Sequence, residues 1–194
     1  EGAFTIFRSP RADQNSAVTF KATSHGMSHG HFDRLNFCYY DAGNEVVTDY
    51  GSARFLNIVA KYNGHYTHEN ESYAKQTIAH NTIVADGRSH FDGSMALASK
   101  SHPIITACSL GGSVQMVGAV ENKAYEDISM ERYLFYADVP FLEYPIILDL
   151  LRATSDKPHQ YDLPLHYNGH MIELSVPYRK FVDRHEARNV LFEY

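Results

Sequence analysis

Apolar and aromatic residues in this chain gather in short runs broken by turn residues, and no run sustains the 3.6-residue period of an amphipathic helix. Residues 1–7, 17–22, 35–40, 45–50, 80–85, 104–110, 114–120, 130–136, 141–151 and 171–176 read as strands. The cluster Asp41-Ala42-Gly43-Asn44 separates two of them and predicts a β-hairpin, while Asp86-Gly87 and Gly111-Gly112 punctuate other boundaries. A brief helix is expected only near 52–59. Many short strands with turns between them predict an all-β fold, an antiparallel sandwich formed as one domain over residues 1–194. No internal repeat, low-complexity tract or linker interrupts it. The first residues read as a strand entered mid-protein, with no signal-peptide pattern, so the chain is expected to be a fragment of a longer protein.

Composition narrows the function. With 194 residues the chain can bury one core of sandwich size. No apolar run is long enough to span a membrane. A formal net charge of −6 argues against nucleic acid, whose phosphates call for a basic face. An acidic sugar polymer stays admissible, because a local Arg or His cluster dominates within a Debye length of roughly 8–10 Å. Cys38 and Cys108 sit singly in apolar stretches; one disulfide is allowed, but two buried thiols are the expectation. Histidine is abundant, with 12 in the chain beside 14 Tyr and no Trp, which supplies groups for acid–base chemistry or metal ligation near neutral pH.

The densest chemistry lies in Ser24-His25-Gly26-Met27-Ser28-His29-Gly30-His31-Phe32-Asp33, where glycines let the backbone approach a ligand closely. His31, with Asp49 and His80 further along, composes an N,N,O set of the kind zinc or non-haem iron accepts. On the residues alone, a His-rich surface loop without metal is the better reading. A simple hairpin ladder around Ala42-Gly43 sets Asp49 opposite Asn36, not His31. The loop must fold back for the three groups to meet, since five extended residues span about 16 Å.

Four ordered motifs go further: SHGMSHGHFDRLNFCYYD (24–41), DYGSARF (49–55), YTHENESYAKQTIAHNT (66–82) and SDKPHQYDLPLHYNGH (155–170). Together they resemble the β-sheet domain of heparinase II/III-like polysaccharide lyases, above all the alginate lyases of polysaccharide lyase family 17. The stretch 87–126 carries the resemblance least. It implies a large antiparallel β-sandwich, normally preceded by an α/α toroid that this chain lacks, with substrate bound between the two. It also implies that His29 is the sheet domain's catalytic histidine. His31, Asp49 and His80 match a structural zinc site, and Tyr66 and Arg54 match sugar-contacting residues. Tyr66 has an alternative reading as an ordinary rim residue, with substrate contact favoured by the resemblance, and Arg54 reads equally as a surface ion pair. His25 and His68 are expected to add only polarity to the loop, and His159 and His166 to be structural.

The implied reaction is β-elimination at a 4-linked uronate. The C5 proton is removed, its bonding pair forms the 4,5-double bond, and O4 departs. Donors such as His, Asn or Arg must hold the carboxylate while charge builds on it, and a tyrosine moves the proton. In the family that tyrosine, with an adjacent Asn-His pair, belongs to the toroid. The implied partners are an acidic oligo- or polysaccharide, the toroid of the same enzyme and, left open, a second copy in a homodimer. The implied location is the bacterial periplasm or the exterior. Competing readings are a heparinase-type glycosaminoglycan lyase, a cupin-type metal oxygenase and a zinc-stapled carbohydrate-binding module without activity of its own. The 18 residues from His31 to Asp49 exceed a cupin's usual spacing.

Overall fold

The structure, a computed structural model, describes residues 2–26, 29–49, 70–171, 173–179, 186–187 and 190–191. The helix expected at 52–59 lies outside the described residues. Two four-stranded antiparallel meanders dominate. The first is β1 (Gly2–Arg8), β2 (Ser16–Thr23), β3 (Phe37–Asp41) and β4 (Asn44–Val47), in that order. A two-residue strand β5 (Val84–Ala85) follows. The second meander is β6 (Ile104–Ser109), β7 (Val114–Glu121), β8 (Ser129–Ala137) and β9 (Ile146–Thr154), again in chain order. β10 (Tyr161–Asp162) returns to pair with β5, and β11 (Glu186–Ala187) pairs with β12 (Val190–Leu191).

Alternation along the strands builds the sandwich. Ser16, Val18, Phe20 and Ala22 of β2 are buried, as are Met130, Arg132, Leu134 and Tyr136 of β8. With Phe7, Leu35, Phe37, Val117 and Ala119 the apolar members form one core shared by both sheets. Burying a Phe or Leu in such a core contributes about 1.5–3 kcal/mol each before entropy is subtracted. Phe7 stacks on Tyr136 at 6.5 Å between ring centroids, and the Tyr136 hydroxyl meets Ser16 Oγ at 2.5 Å, joining the sheets. Among the described residues the regular structure is nearly all antiparallel sheet with few helical turns, as the pattern of short runs predicts.

Some boundaries differ from expectation. Of 80–85 only Val84 and Ala85 pair as a strand; His80 instead follows a single helical turn, Thr77–Ala79. β9 starts later than 141, directly after Pro145, whose nitrogen cannot donate to a ladder. Among the described residues of 171–176 no strand forms: Met171, Leu174 and Val176 are exposed and no neighbouring strand pairs with them. One short helix, α1 (Met95–Ala98), appears within 87–126. The cysteines are not two buried thiols. Both are free, but only Cys38 is buried, on β3, whereas Cys108 lies exposed on the edge strand β6 of the other sheet. Burial pushes the Cys38 thiol up to about 12, so it is inert at neutral pH.

Candidate functional site

The hairpin β3–β4 sets the first part of the site. Ala42 and Gly43 both take positive φ, +47° and +78°, as the two-residue turns that match strand twist require. Pairing runs Asp41↔Asn44 and Tyr40↔Glu45, then shifts to Tyr39↔Val47, so β4 gains one residue at a bulge. That insertion moves Asp49 by one position relative to the simple ladder. Asp49 also lies just past the end of β4 rather than within a strand. Its carboxylate nevertheless stays beside Asn36, whose Nδ2 donates to Asp49 Oδ2 at 2.7 Å.

Long-range hydrogen bonds bring the remaining two side chains in. Phe32 N–H donates to the Lys75 carbonyl, and Thr77 Oγ1 donates to the Phe32 carbonyl. Asn81 is fully buried; its amide donates to the carbonyls of Phe37 (2.9 Å) and Thr48 (2.8 Å), and its Oδ1 accepts from His166 N–H. Arg132, from β8, donates to the carbonyls of Leu35 (2.7 Å) and Asn81 (2.5 Å) while forking onto Asp149. These contacts stitch the histidine loop, the β4 end and the turn at 77–81 together. His31, Asp49 and His80 consequently meet, with one donor atom from each lying within 4.8 Å of the others.

Glycine plays a different part from the one expected. A Cβ at Gly30 would stand 1.4 Å from the His25 carbonyl oxygen, so the close approach is to the chain itself, not to a ligand. His25, expected to add only polarity, is buried against Phe32 at 4.8 Å between ring centroids. His159 and His166 do act within the fold. His159 Nδ1 faces Asp86 at 2.8 Å, and His166 Nε2 meets the Ile78 carbonyl at 2.9 Å.

The electrostatics suit a cation. Burial, then the neighbouring charge of His80, pushes His31 down to about 4, which leaves it neutral with a nitrogen lone pair available at neutral pH. Burial also works against charge on His80, but the charge and hydrogen bond of Asp49 outweigh it and hold His80 above its ordinary value. A cation between them would replace that proton. His80 Nδ1 lies 3.2 Å from Asp49 Oδ2, close to the ~3.3 Å edge of a tetrahedron with ~2.0–2.1 Å bonds to nitrogen and oxygen. The other ring nitrogen, His80 Nε2, is buried and has no hydrogen-bond partner among the described residues; with Nδ1 as the ligand atom it takes no part in this fit. The donor set therefore fits a divalent metal.

A cleft of about 330 Å³ opens beside this group, lined by His29, His31, Lys21, Asn36, Tyr40 and Asp49 among others. Both His29 and His31 line it; His29 is exposed, whereas His31 is half-buried and belongs to the donor group. Lys21 pairs with the buried Asp33 at 2.6 Å. Arg54 and Tyr66 lie outside the described residues. Sequence reading missed Asn36, Asn81 and Arg132 as supports of the site. A charged residue at an inward position of β8 was the available signal for Arg132.

Fold and site together define an all-β, two-sheet module that mounts an N,N,O donor set on the rim of an open cleft. The chain belongs to the heparinase II/III-like C-terminal family, whose sequence model matches residues 1–191. It is 46% identical over 175 residues to an exo-oligoalginate lyase of Saccharophagus degradans, covering 90% of this chain and 24% of that protein. It is 44% identical over 171 residues to an alginate lyase of Stenotrophomonas maltophilia, covering 88% of this chain and 23% of that protein. The chain thus spans about a quarter of the length of these relatives. Among solved structures it is similar to a heparinase III, with TM-score 0.66 at 18% identity over 90% of this chain and 24% of that one. It is also similar to the heparan sulfate lyase of Pedobacter heparinus, with TM-score 0.57 at 16% identity over 81% of this chain and 22% of that one. At such identities the structural likeness speaks for the fold alone. Among the described residues no helix is long and apolar enough to cross a membrane.

Proposed function

We propose that this chain is the β-sheet part of a polysaccharide lyase that cleaves 4-linked uronate chains, alginate in particular, by β-elimination. The observation that carries this reading is the identity of 46% and 44% to two alginate lyases across some nine-tenths of the chain. The cleft supports it, since His29 stands there beside the His31–Asp49–His80 group. In this reading His29 donates toward the uronate carboxylate, or assists ionisation of the proton-transferring tyrosine, as charge builds after C5 loses its proton. The tyrosine belongs to an α/α toroid preceding this chain in the intact enzyme. We assign the enzyme to the bacterial periplasm or the exterior, where such polymers are met.

The test is product formation. The intact enzyme should convert alginate oligosaccharides to unsaturated uronates that absorb in the ultraviolet, and should leave heparan sulfate unchanged. Heparan turnover without alginate turnover would favour the glycosaminoglycan reading, and neither activity would leave the binding-module reading.

The metal in this reading is zinc, held by His31, Asp49 and His80, and its part is to pin the histidine loop to the sheet. Zinc bound there supplies folding energy rather than reaction chemistry. Carefully prepared protein should contain about one zinc per chain by elemental analysis. Chelation, or His80→Ala, should lower the melting temperature markedly. Zinc-free protein that melts at the same temperature with and without chelator would defeat this assignment.

A further inference from the structure

Asn36 touches both halves of the donor group, and its two ends are used differently. Its Oδ1 accepts from the backbone N–H of Asn81 at 2.9 Å, immediately after His80. Its Nδ2 donates to Asp49 Oδ2 at 2.7 Å. Asn36 is 3% exposed, so neither contact competes freely with water. The orientation of a side-chain amide is settled by its partners. Here the Asn81 N–H requires an oxygen on one side, so the nitrogen must face the carboxylate. The same Asp49 oxygen faces His80 Nδ1 at 3.2 Å.

We propose that Asn36 is a positioning residue of the metal group: it fixes the rotation of the Asp49 carboxylate and couples it to the turn that carries His80. The inference rests on the metal reading above. A carboxylate has several lone-pair directions and turns easily about its last bond. One donated hydrogen bond from a rigid amide selects a single orientation without adding charge or a competing ligand. Aspartate at position 36 would supply the acceptor but not the donor, and leucine neither. Partners of this kind, which orient a ligand without touching the ion, typically change metal affinity by about 10–100-fold when removed.

The test is Zn²⁺ affinity of the intact protein, measured by competition with a chromogenic chelator, for wild type, Asn36→Ala and Asn36→Ser. The serine hydroxyl is too short to span both partners, yet it leaves room for water to solvate the Asn81 N–H. Both variants should bind Zn²⁺ about 10–100-fold more weakly than wild type. The rise in melting temperature on adding zinc should shrink in both. Tyr125→Phe serves as the control. It removes the buried hydroxyl bonded to Ile83, Ala85 and Arg88, away from the donor group. That variant should lose stability while keeping wild-type affinity. Unchanged affinity in either Asn36 variant overturns the inference, as does failure of both to fold in excess zinc, which would make Asn36 a general fold contact. Wild-type protein that binds no zinc would instead defeat the metal reading beneath it.

Discussion

Arg132→Met should destabilise the protein by about 3–5 kcal/mol, the range found when one partner of a buried ion pair is removed. Arg132 is 1% exposed. Its Nε and Nη2 donate to the two oxygens of Asp149 at 2.8 and 2.6 Å, and Nη1 reaches the carbonyls of Leu35 and Asn81. The guanidinium also lies 4.6 Å from the centre of the Phe37 ring. Methionine fills much of the volume but leaves two buried carbonyls unpaired and a carboxylate uncompensated. Asp149 retains some solvent contact, with its side chain 24% exposed, which sets the expected loss toward the lower end. For chains of this size each kcal/mol shifts the melting point by about 2–4 °C, so a fall of about 6–20 °C is expected. Denaturant unfolding should show a lower midpoint at unchanged slope. The double variant Arg132→Met/Asp149→Leu should regain part of the loss, because it removes both partners of the pair. A single variant within about 1 kcal/mol of wild type would show that the network adds little.

His29→Ala in the intact enzyme should reduce turnover of alginate oligosaccharides by about 10²–10⁴-fold, the usual contribution of an acid–base or carboxylate-holding group. The fold should survive, since His29 is exposed at the cleft rather than packed in the core. The melting temperature is therefore the companion measurement: activity should fall while it stays put. Zinc content should also stay at the wild-type level, because the donor group comprises His31, Asp49 and His80. A variant within a few-fold of wild type would remove His29 from the mechanism. The 194-residue chain by itself should show negligible elimination, because the tyrosine base of the proposed mechanism lies in the toroid. Robust activity of the isolated chain would instead point to a local base, with Tyr66 the first residue to replace.

The strands were legible because their signal is local. A period of two and a turn such as Ala42-Gly43 depend on neighbours a few residues away, and eight of the ten expected strands appear. The two failures, around 80 and 171, are runs whose apolar content resembles a strand but which, among the described residues, find no ladder of adequate length. The residue types of the site were legible too, through motifs that resemble one family. Their meeting was not. His31, Asp49 and His80 come together through one inserted residue in β4 and hydrogen bonds between segments far apart in sequence. Asn81 reaches Phe37 across 44 positions, and Arg132 reaches Leu35 across 97. Such bonds connect backbone carbonyls, which every residue possesses, so no side-chain pattern announces them. Composition and spacing determined that this chain would be a β-sandwich rich in potential donors. Only tertiary packing decided which donors face one another, because a bulge and a buried arginine choose among arrangements that local preferences leave equal.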